Sequence, residues 1–399
     1  MKKLAILGST GSIGASTLSI CESFPDRYLP IALAAGHNLD TAFAQCLRWR
    51  PRVISVATES LAATLRSRLA AAGLRQTEVL HGAPGTVAVA TLPEVDFVVS
   101  AIVGVAGLEA TFAAVLAGKT IGLANKECLV AAGGLIMAAA RQHNVALLPI
   151  DSEHNAIHQC LRGGKPSEVK QIWLTASGGP FRNTPLADFA HITPQQALKH
   201  PTWVMGQRIT VDSATMMNKG FEVIEACQLF SLPPGEVRVT VHPQSTVHSL
   251  VEFQDGSILA QISVTDMRLP ILYALAFPDR PPAPPVTATA PSLTFDLAQL
   301  SHLDFSPPDL ARFPCLRLAY DAAAAGPSAC IALNAADEMA VAAFLDGRLT
   351  FLGIPRTIDE VLSQTPFAAP SSIEEVLLAD QVARTRAAEI IAQSTFSAA

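Results

Sequence analysis

The sequence predicts an α/β fold in which residues 1–150 form a doubly wound parallel sheet. Short apolar runs recur along this region without polar alternation, as in parallel strands that are covered on both faces. The segments between these runs, such as Ser60–Ala72 and Leu108–Leu116, are rich in helix-forming residues. Strands and helices that alternate in this way predict a Rossmann-like domain. The predicted strands are Leu4–Leu7, Ile31–Ala35, Val53–Val56, Phe97–Ser100, Thr120–Leu123 and Ala146–Ile150.

Predicted strands follow one another after Asp151, which indicates a central α+β domain over residues 151–276. The dipeptide Asp255-Gly256 separates the last two of these strands and predicts a hairpin turn. The predicted strands are Ile172–Thr175, Arg208–Thr210, Glu236–Val241, Thr246–Phe253 and Ser257–Ile262.

The last third of the chain changes in composition twice. Prolines are dense after residue 276, and such a stretch is extended and semi-rigid, so residues 277–302 are predicted to be a linker. Residues 303–399 are rich in Ala and Leu and predict a C-terminal helical bundle. Ser372 with Glu375 three residues later is typical of a capped helix start. The predicted helices are Leu310–Ala325, Ala335–Asp346, Ile358–Thr365 and Ser372–Ser394.

The composition suits a compact enzyme. Half of the 399 residues are hydrophobic and 16% are charged. The net charge is −6 and no run of Lys and Arg is present, which argues against a nucleic-acid partner. Seven scattered cysteines without a CxxC pair are typical of buried, reduced thiols. The first apolar run ends at Gly8, too early for a signal peptide, so we expect a cytoplasmic protein without a membrane partner.

A glycine-rich turn follows the first predicted strand and opens a helix. Residues 8–14 read GSTGSIG, with Gly8, Gly11 and Gly14 spaced by three. Glycines in this position permit a tight turn and let the backbone approach a pyrophosphate at a helix N-terminus. The hydroxyls of Ser9, Thr10 and Ser12 are further donors. The turn predicts dinucleotide binding.

The end of the second predicted strand favours NADP over NAD. NAD sites usually carry an Asp or Glu there, which accepts a hydrogen bond from the ribose 2′-hydroxyl. Here the strand ends in Ala35, followed by Gly36, His37 and Asn38, so no carboxylate is present to repel a 2′-phosphate. The alternative is an ordinary Gly–Asn turn without a ligand.

Two carboxylates follow the strand that ends at Ile150. Asp151 and Glu153 flank Ser152, so in an extended segment their side chains leave on the same side. Paired carboxylates repel each other unless a cation lies between them, and Mg²⁺ or Mn²⁺ prefers oxygen ligands. The alternative is a helix start, in which Asp151 and Ser152 cap a helix over Asn155–Leu161. The spacing alone supports both interpretations equally.

A second set of polar residues lies between Asp212 and Glu225. Glu222 and Glu225 share one face of a helix that is predicted to begin near Asn218, and spacing does not choose between them as a third carboxylate ligand. Ser213, Asn218 and Lys219 combine a hydroxyl, an amide and a cation, which suits a phosphate. Ser177 before two glycines is another candidate anion site.

Two further features are candidates for contact with a substrate. Residues 200–206, bounded by Pro201 and Gly206, predict a mobile lid that carries Trp203 and excludes water; the alternative is a buried staple. Lys126 follows another strand of the first domain and has an ammonium group that can donate to a substrate oxygen.

Seven motifs occur together in one order over essentially the whole chain. They are GSTGSIG at residues 8–14, ANKE at 124–127, PIDSEHNA at 149–156, ASGGPFR at 176–182, HPTWVMG at 200–206, VDSATMMNKG at 211–220 and HPQS at 242–245. With these motifs the chain closely resembles the 1-deoxy-D-xylulose 5-phosphate reductoisomerase family.

The resemblance implies roles for the residues that match the family's motifs. The implied NADPH contacts are Thr10, Gly11, Ser12, Ile13, Gly36, His37, Asn38, Asn125, Glu127 and Gly206. The implied metal ligands are Asp151, Glu153 and Glu222, which favours Glu222 over Glu225. The implied substrate contacts are Lys126, Ser152, Glu153, Ser177, His200, Ser213, Asn218, Lys219 and Glu222, with Trp203 and Met205 on the flap. Lys126, Asp151, Glu153 and Glu222 are the implied catalytic residues.

The resemblance also implies a reaction. The carbon skeleton of 1-deoxy-D-xylulose 5-phosphate is cleaved and rejoined with a divalent metal ion, Mg²⁺ or Mn²⁺, and NADPH then reduces the aldehyde to 2-C-methyl-D-erythritol 4-phosphate in non-mevalonate isoprenoid biosynthesis. It implies a homodimer with the central domain as the catalytic, metal-binding and dimerisation domain. Two other classes remain as alternatives: a metal-dependent dehydrogenase of a hydroxy acid, and an NADP-binding sensor without catalysis.

Overall fold

The computed structural model describes residues 1–203, 205–287, 291–364 and 368–393, except for the side chain of Gln299. Its strands are β1 Lys2–Leu7, β2 Tyr28–Ala34, β3 Val53–Val56, β4 Glu78–His81, β5 Phe97–Ser100, β6 Thr120–Leu123, β7 Leu147–Pro149, β8 Val169–Ala176, β9 Val237–Val241, β10 Val247–Phe253 and β11 Ile258–Ile262. Its helices are α1 Ser12–Ser23, α2 Leu39–Trp49, α3 Glu59–Ala71, α4 Gly82–Thr91, α5 Leu108–Leu116, α6 Lys126–Gln142, α7 Ser152–Cys160, α8 Pro194–Ala197, α9 Gln207–Thr215, α10 Met217–Phe230, α11 Arg268–Ala276, α12 Pro314–Ala325, α13 Pro327–Leu345, α14 Gly353–Ser363 and α15 Ile373–Gln393.

The described chain packs into two compact units. The first unit comprises residues 1–128, 136–155 and 266–295, and the second comprises residues 129–135, 156–265 and 296–399. These two units are defined by packing alone. The limits of the functional domains at residues 150, 276 and 302 therefore stay predictions.

A parallel sheet of seven strands organises the first unit, in the order β4-β3-β2-β1-β5-β6-β7. All of its pairings are parallel, so the carboxyl ends of the strands share one edge. The fold class predicted for this region is confirmed. Each of the six predicted strands is present within a few residues, and β4 is an additional strand that the sequence did not predict. The strand order reverses between β1 and β5, which is where ligands of such sheets bind.

The core of the first unit explains why most of its strands are largely apolar. The side chains of Leu4, Ile6 and Leu33 are completely buried, as are those of Ile54 and Phe97. They pack in one cluster with residues of the flanking helices. Strands that are covered on both faces have no exposed side for polar residues, which removes the alternation.

A mixed sheet of four strands organises the second unit, in the order β11-β10-β8-β9. β8 runs parallel to β9 and antiparallel to β10, and β10 forms the predicted hairpin with β11. Gly256 in that turn has a φ of +86°, a conformation that glycine adopts without strain. Helices α12–α15 supply much of the core of this unit, which confirms the predicted α+β and helical regions.

The predicted strand Arg208–Thr210 is wrong, because these residues lie in helix α9. The carbonyl of Gly206 accepts from the backbone N–H of Thr210 at 3.1 Å and starts the helix. Val211 and Ala214 are completely buried, and Thr210 and Thr215 nearly so. These positions follow a helical spacing, whereas a short window around Ile209 and Val211 resembles strand alternation.

The predicted C-terminal helices are present with different limits. α12 begins at Pro314 and α13 at Pro327, because proline is preorganised for the first turn of a helix. α14 begins at Gly353, earlier than predicted. Thr365 and Ser394, the predicted ends of the last two helices, lie outside the described residues.

Helix α13 is the one described helix long and apolar enough to cross a membrane by length and composition. However, 78% of its most apolar window is buried inside the protein. A core helix of a helical bundle has the same composition. Six of the seven cysteines are buried and none of the seven forms a disulfide, which agrees with the predicted buried thiols.

Candidate functional site

The glycine turn after β1 has no space for side chains at two positions. Gly8 has a φ of +86°, and a Cβ there would lie 2.5 Å from the carbonyl oxygen of Ala101. A Cβ at Gly14 would lie 2.5 Å from the carbonyl oxygen of Ser9. Gly11 is the N-cap of α1 and supplies no side-chain cap, so the first turn of the helix keeps its backbone donors. This geometry suits an anion at the helix N-terminus.

The four residues predicted to contact the cofactor from this turn are accessible, but Ser9 is not. Gly11 and Ser12 are exposed, whereas Thr10 and Ile13 are half-buried. Ser9 is completely buried, and its hydroxyl donates to Oε1 of Gln45 at 2.8 Å. The expectation that Ser9 adds a donor for the ligand is therefore wrong, because Gln45 already holds that hydroxyl.

The end of β2 carries no acidic side chain, as the sequence indicated. Gly36, His37 and Asn38 are exposed. The side chain of Asn38 accepts from the backbone N–H of Thr41 at 3.1 Å and caps α2. Asp40, in the first turn of α2, pairs with Arg68 at 2.7 Å.

Asn125 and Lys126 lie after β6 at the same edge of the sheet. Asn125 is buried and caps α6 by accepting from the N–H of Cys128 at 3.2 Å. Its amide donates to the carbonyls of Ile102 and Gly104, so it holds the loop after β5. Lys126 is 6% exposed and forms an ion pair with Asp151 at the end of β7. Glu127, in the first turn of α6, is half-buried.

The carboxylates of Asp151 and Glu153 lie close together, but not for the reason that the sequence suggested. Helix α7 begins at Ser152, so the segment is not extended at Glu153. A carboxylate oxygen of Asp151 nevertheless lies within 4.8 Å of one of Glu153. The hydroxyl of Ser152 donates to Glu153 at 2.6 Å. The helix start and the carboxylate pair are therefore both present, and the pair offers oxygen ligands of the kind that Mg²⁺ prefers.

In the second unit, Ser177 and His200 form a hydrogen-bonded pair. The Nδ1 atom of His200 accepts from the backbone N–H of Trp203 at 2.9 Å. In the neutral ring the proton therefore sits on Nε2, which donates to Ser177 Oγ at 3.2 Å. Ser177 Oγ also accepts from the N–H of Gly179. A Cβ at Gly179 would lie 2.7 Å from the carbonyl of Ser213, so this turn packs directly against α9.

The predicted flap residues lie between His200 and α9. Trp203 and Met205 are half-buried, and the indole of Trp203 lies 6.4 Å from the ring of His248. Gly206 is the N-cap of α9. Val204, at the centre of the flap, lies outside the described residues.

Asn218, Lys219 and Glu222 form one cluster on α10. The amide of Asn218 donates to one carboxylate oxygen of Glu222 at 2.6 Å, and the ammonium of Lys219 pairs with the other. Lys219 and Glu222 are nearly completely buried, as is Glu225 one turn later. Both oxygens of this buried carboxylate therefore have a donor. The cluster brings the predicted phosphate ligands and the predicted carboxylate together on one helix.

A buried ion network that the sequence analysis missed holds α9. Arg208 donates to Asn334 at 2.9 Å, and it pairs with Asp337 at 3.3 Å and with Glu338 at 3.1 Å, all on α13. Arg208 also lies 3.7 Å from Asp212. Burial raises the pKa of Asp337 to about 6, although the Arg208 guanidinium acts to lower it. The spacing of Arg208 and Asp212 at i and i+4 could have indicated an ion pair within a helix. The sequence contains no comparable indication of the partners on α13.

Three family models match the chain. The model of 1-deoxy-D-xylulose 5-phosphate reductoisomerase matches residues 4–133. Two models of its C-terminal domains match residues 147–230 and 262–386.

Curated relatives and solved structures match nearly the whole chain. Reductoisomerases of this name from Solibacter usitatus and Methylococcus capsulatus are 52% and 53% identical over 98% of this chain, and the matches cover 97% and 99% of those proteins. A structure of DOX-P reductoisomerase in complex with NADPH, fosmidomycin and magnesium has a TM-score of 0.90 at 42% identity, covering 98% of both chains. The Zymomonas mobilis enzyme in complex with NADPH has a TM-score of 0.89 at 44% identity, covering 98% of this chain and 100% of that one. This chain belongs to the 1-deoxy-D-xylulose 5-phosphate reductoisomerase family.

Proposed function

We propose that this protein converts 1-deoxy-D-xylulose 5-phosphate to 2-C-methyl-D-erythritol 4-phosphate with NADPH and a divalent metal ion. The observation that carries the proposal is the match to reductoisomerases at about half identity over nearly the full length of both chains. Solved relatives are described as complexes with NADPH and with magnesium. The reaction belongs to non-mevalonate isoprenoid biosynthesis.

NADPH binds along the carboxyl edge of the parallel sheet in this proposal. The N-terminus of α1 receives the pyrophosphate, because its first-turn donors have no side-chain cap. The exposed loop after β2 receives the 2′-phosphate, and its lack of a carboxylate supports NADPH over NADH. The proposed contacts are Thr10, Gly11, Ser12, Ile13, Gly36, His37, Asn38, Asn125, Glu127 and Gly206.

Asp151, Glu153 and Glu222 would hold the metal ion, Mg²⁺ or Mn²⁺. The closely spaced carboxylates of Asp151 and Glu153 support this assignment, since they fit a hard cation. A bound ion of this kind supplies Lewis-acid polarisation of the substrate carbonyl. Lys126, buried beside Asp151, orients a substrate oxygen by donating to it. Glu153, which already accepts from Ser152, moves a proton at the substrate hydroxyl.

The phosphate of the substrate binds to Ser177, Ser213, Asn218 and Lys219, with His200 positioning Ser177. The hydrogen bonds of Ser177 support this arrangement. Its Oγ accepts from His200 and from Gly179, so its own hydroxyl hydrogen remains available to donate to a phosphate oxygen. Lys219 adds a charge in a buried environment, where electrostatic attraction is strong. Trp203 and Met205 on the flap close over the substrate and exclude water.

The decisive experiment compares the wild-type protein with Glu222→Gln. We expect the wild-type protein to oxidise NADPH when deoxyxylulose phosphate and Mg²⁺ are added, and to yield the rearranged carbon skeleton by NMR. Glu222→Gln should bind NADPH normally and lose about 100-fold or more in kcat, because a neutral amide is a poor ligand. Glu225→Gln is the matched control, since it lies on the same helix and is equally buried.

Three outcomes of this experiment would contradict the proposal. An unrearranged reduced product from the wild-type protein would show a simple metal-dependent dehydrogenase instead. NADPH binding without any turnover would favour a sensor. Near wild-type turnover in Glu222→Gln, with a loss in Glu225→Gln, would move the ligand assignment to Glu225.

We further propose that the protein is a homodimer that pairs along β11. This strand forms one edge of its sheet, and Ile258, Leu259 and Ile262 are 52%, 41% and 36% exposed. An apolar edge strand is a template for pairing with another chain. Ile258→Lys with Ile262→Lys should shift the protein from dimer to monomer in sedimentation velocity. Leu378→Lys, an exposed apolar position on α15, is the control; a wild-type monomer at micromolar concentration would contradict the proposal.

We also propose that the protein works in the cytoplasm. None of its seven cysteines forms a disulfide. Thiols persist in this form in a reducing compartment.

A further inference from the structure

Gln45 and Ser9 form a reciprocal pair of hydrogen bonds. The hydroxyl of Ser9 donates to Gln45 Oε1 at 2.8 Å, and Gln45 Nε2 donates back to the carbonyl of Ser9 at 2.8 Å. Ser9 is completely buried and Gln45 is 8% exposed. A primary amide offers a donor and an acceptor side by side, so it satisfies both groups of Ser9 at once. Neither Ser9 nor Gln45 is among the proposed cofactor contacts.

The pair joins the two parts of the proposed cofactor site. Ser9 lies inside the glycine turn, while Gln45 lies on α2, which begins directly after the loop of Gly36, His37 and Asn38. The backbone N–H of Ser9 also donates to the carbonyl of Ala34, at the end of β2, at 2.9 Å. The turn that faces the pyrophosphate is thereby connected to the helix whose start faces the 2′-phosphate.

We propose that Gln45 is a positioning residue that sets the preference for NADPH over NADH, an inference that rests on the proposed function. NADPH is held at the pyrophosphate and at the 2′-phosphate together, so its affinity depends on the distance between the turn and the start of α2. NADH lacks the second phosphate and depends mainly on the turn. Gln45 fixes that distance through Ser9.

The first test is the variant Gln45→Met, which keeps the length and flexibility of the side chain but removes both polar groups. It leaves the hydroxyl and carbonyl of Ser9 buried without their partner, which a folded protein relieves by moving the turn or the helix. We expect the Kd of NADPH to rise about 10-fold and that of NADH about 2-fold or less, both by fluorescence titration. At saturating NADPH, kcat and the KM of deoxyxylulose phosphate should stay within about 2-fold of wild type.

Ser9→Ala provides a second variant if Gln45→Met folds poorly. It removes the hydroxyl and keeps the bond from Gln45 to the backbone carbonyl, so we expect a smaller loss of NADPH affinity in the same direction. In the double variant Ser9→Ala with Gln45→Met, the loss should be less than the sum of the single losses, because the two side chains act through one contact.

Thr77→Val is the matched control for a purely structural role. Thr77 donates to the carbonyl of Pro51 at 2.8 Å, at the amino end of the same sheet, away from the proposed cofactor site. It should lower the free energy of unfolding without changing the ratio of the two Kd values. An unchanged ratio in Gln45→Met, alongside destabilisation like that of Thr77→Val, would overturn the inference. Failure of the wild-type protein to bind NADPH would instead overturn the proposed function.

Discussion

The glycine turn and helix α9 are held in place by interactions of different kinds. The turn is shaped by close backbone packing, of Gly14 against Ser9 and of Gly8 against Ala101. Helix α9, which carries Ser213, is anchored through Arg208 to residues of α13 that lie more than 120 positions later in the chain. The proposed cofactor side therefore depends on close backbone packing, and the proposed substrate side on buried charged side chains.

Arg208→Met should produce the largest effect, because it removes the cation from a buried network. Asp337 is completely buried and Asp212 nearly so, and both would lose their pairing with the Arg208 guanidinium. Breaking a buried ion pair from one side costs about 3–5 kcal/mol. We expect a loss of this size in the free energy of unfolding, and a higher KM for deoxyxylulose phosphate because α9 is displaced. Denaturant unfolding and steady-state kinetics measure the two effects.

Arg384→Met is the control for Arg208→Met. Arg384 pairs with Glu338 on α13 at 2.9 Å and with Asp380 on α15 at 2.6 Å, rather than with α9. It should destabilise the helical bundle while leaving the KM of the substrate near the wild-type value. If both variants raised that KM equally, α9 would not be positioned by Arg208 in particular.

The dependence of an element on distant residues explains which elements could be predicted from the sequence. Six of the seven strands of the first unit are largely apolar because they are covered on both faces, so they were predicted within a few residues, whereas β4 was not. The segment Arg208–Thr210 was predicted as a strand because a short window around Ile209 and Val211 alternates. Its helical state is stabilised by Arg208 and by burial against distant residues, which a local pattern does not contain.

The same contrast applies to the candidate site. Asp151 and Glu153 were predicted to lie together, and they do, although in a helix start rather than an extended segment. Ser9 was predicted to face the ligand, but Gln45 binds it from a position 36 residues later. Local spacing thus identified the types of residue at the site, whereas the partner of each side chain depended on the fold.

Gly14→Ala tests the backbone packing of the turn and should have the smaller effect. A Cβ there would lie 2.5 Å from the carbonyl oxygen of Ser9, so the turn must shift. Overpacking of this kind costs about 1–3 kcal/mol. We expect a roughly 10- to 100-fold rise in the Kd of NADPH, with the KM of the substrate unchanged at saturating NADPH.

Gly134→Ala is the control for Gly14→Ala, because a Cβ at Gly134 on α6 meets nothing within 4 Å and Gly134 is not a proposed cofactor contact. Its Kd for NADPH should stay within about 2-fold of wild type, an energy difference below 1 kcal/mol. A loss of affinity in Gly134→Ala that equals the loss in Gly14→Ala would mean that backbone flexibility, rather than close packing of the turn, determines cofactor binding. The cofactor side would then depend on more than the local geometry of the turn, and the contrast with α9 would weaken.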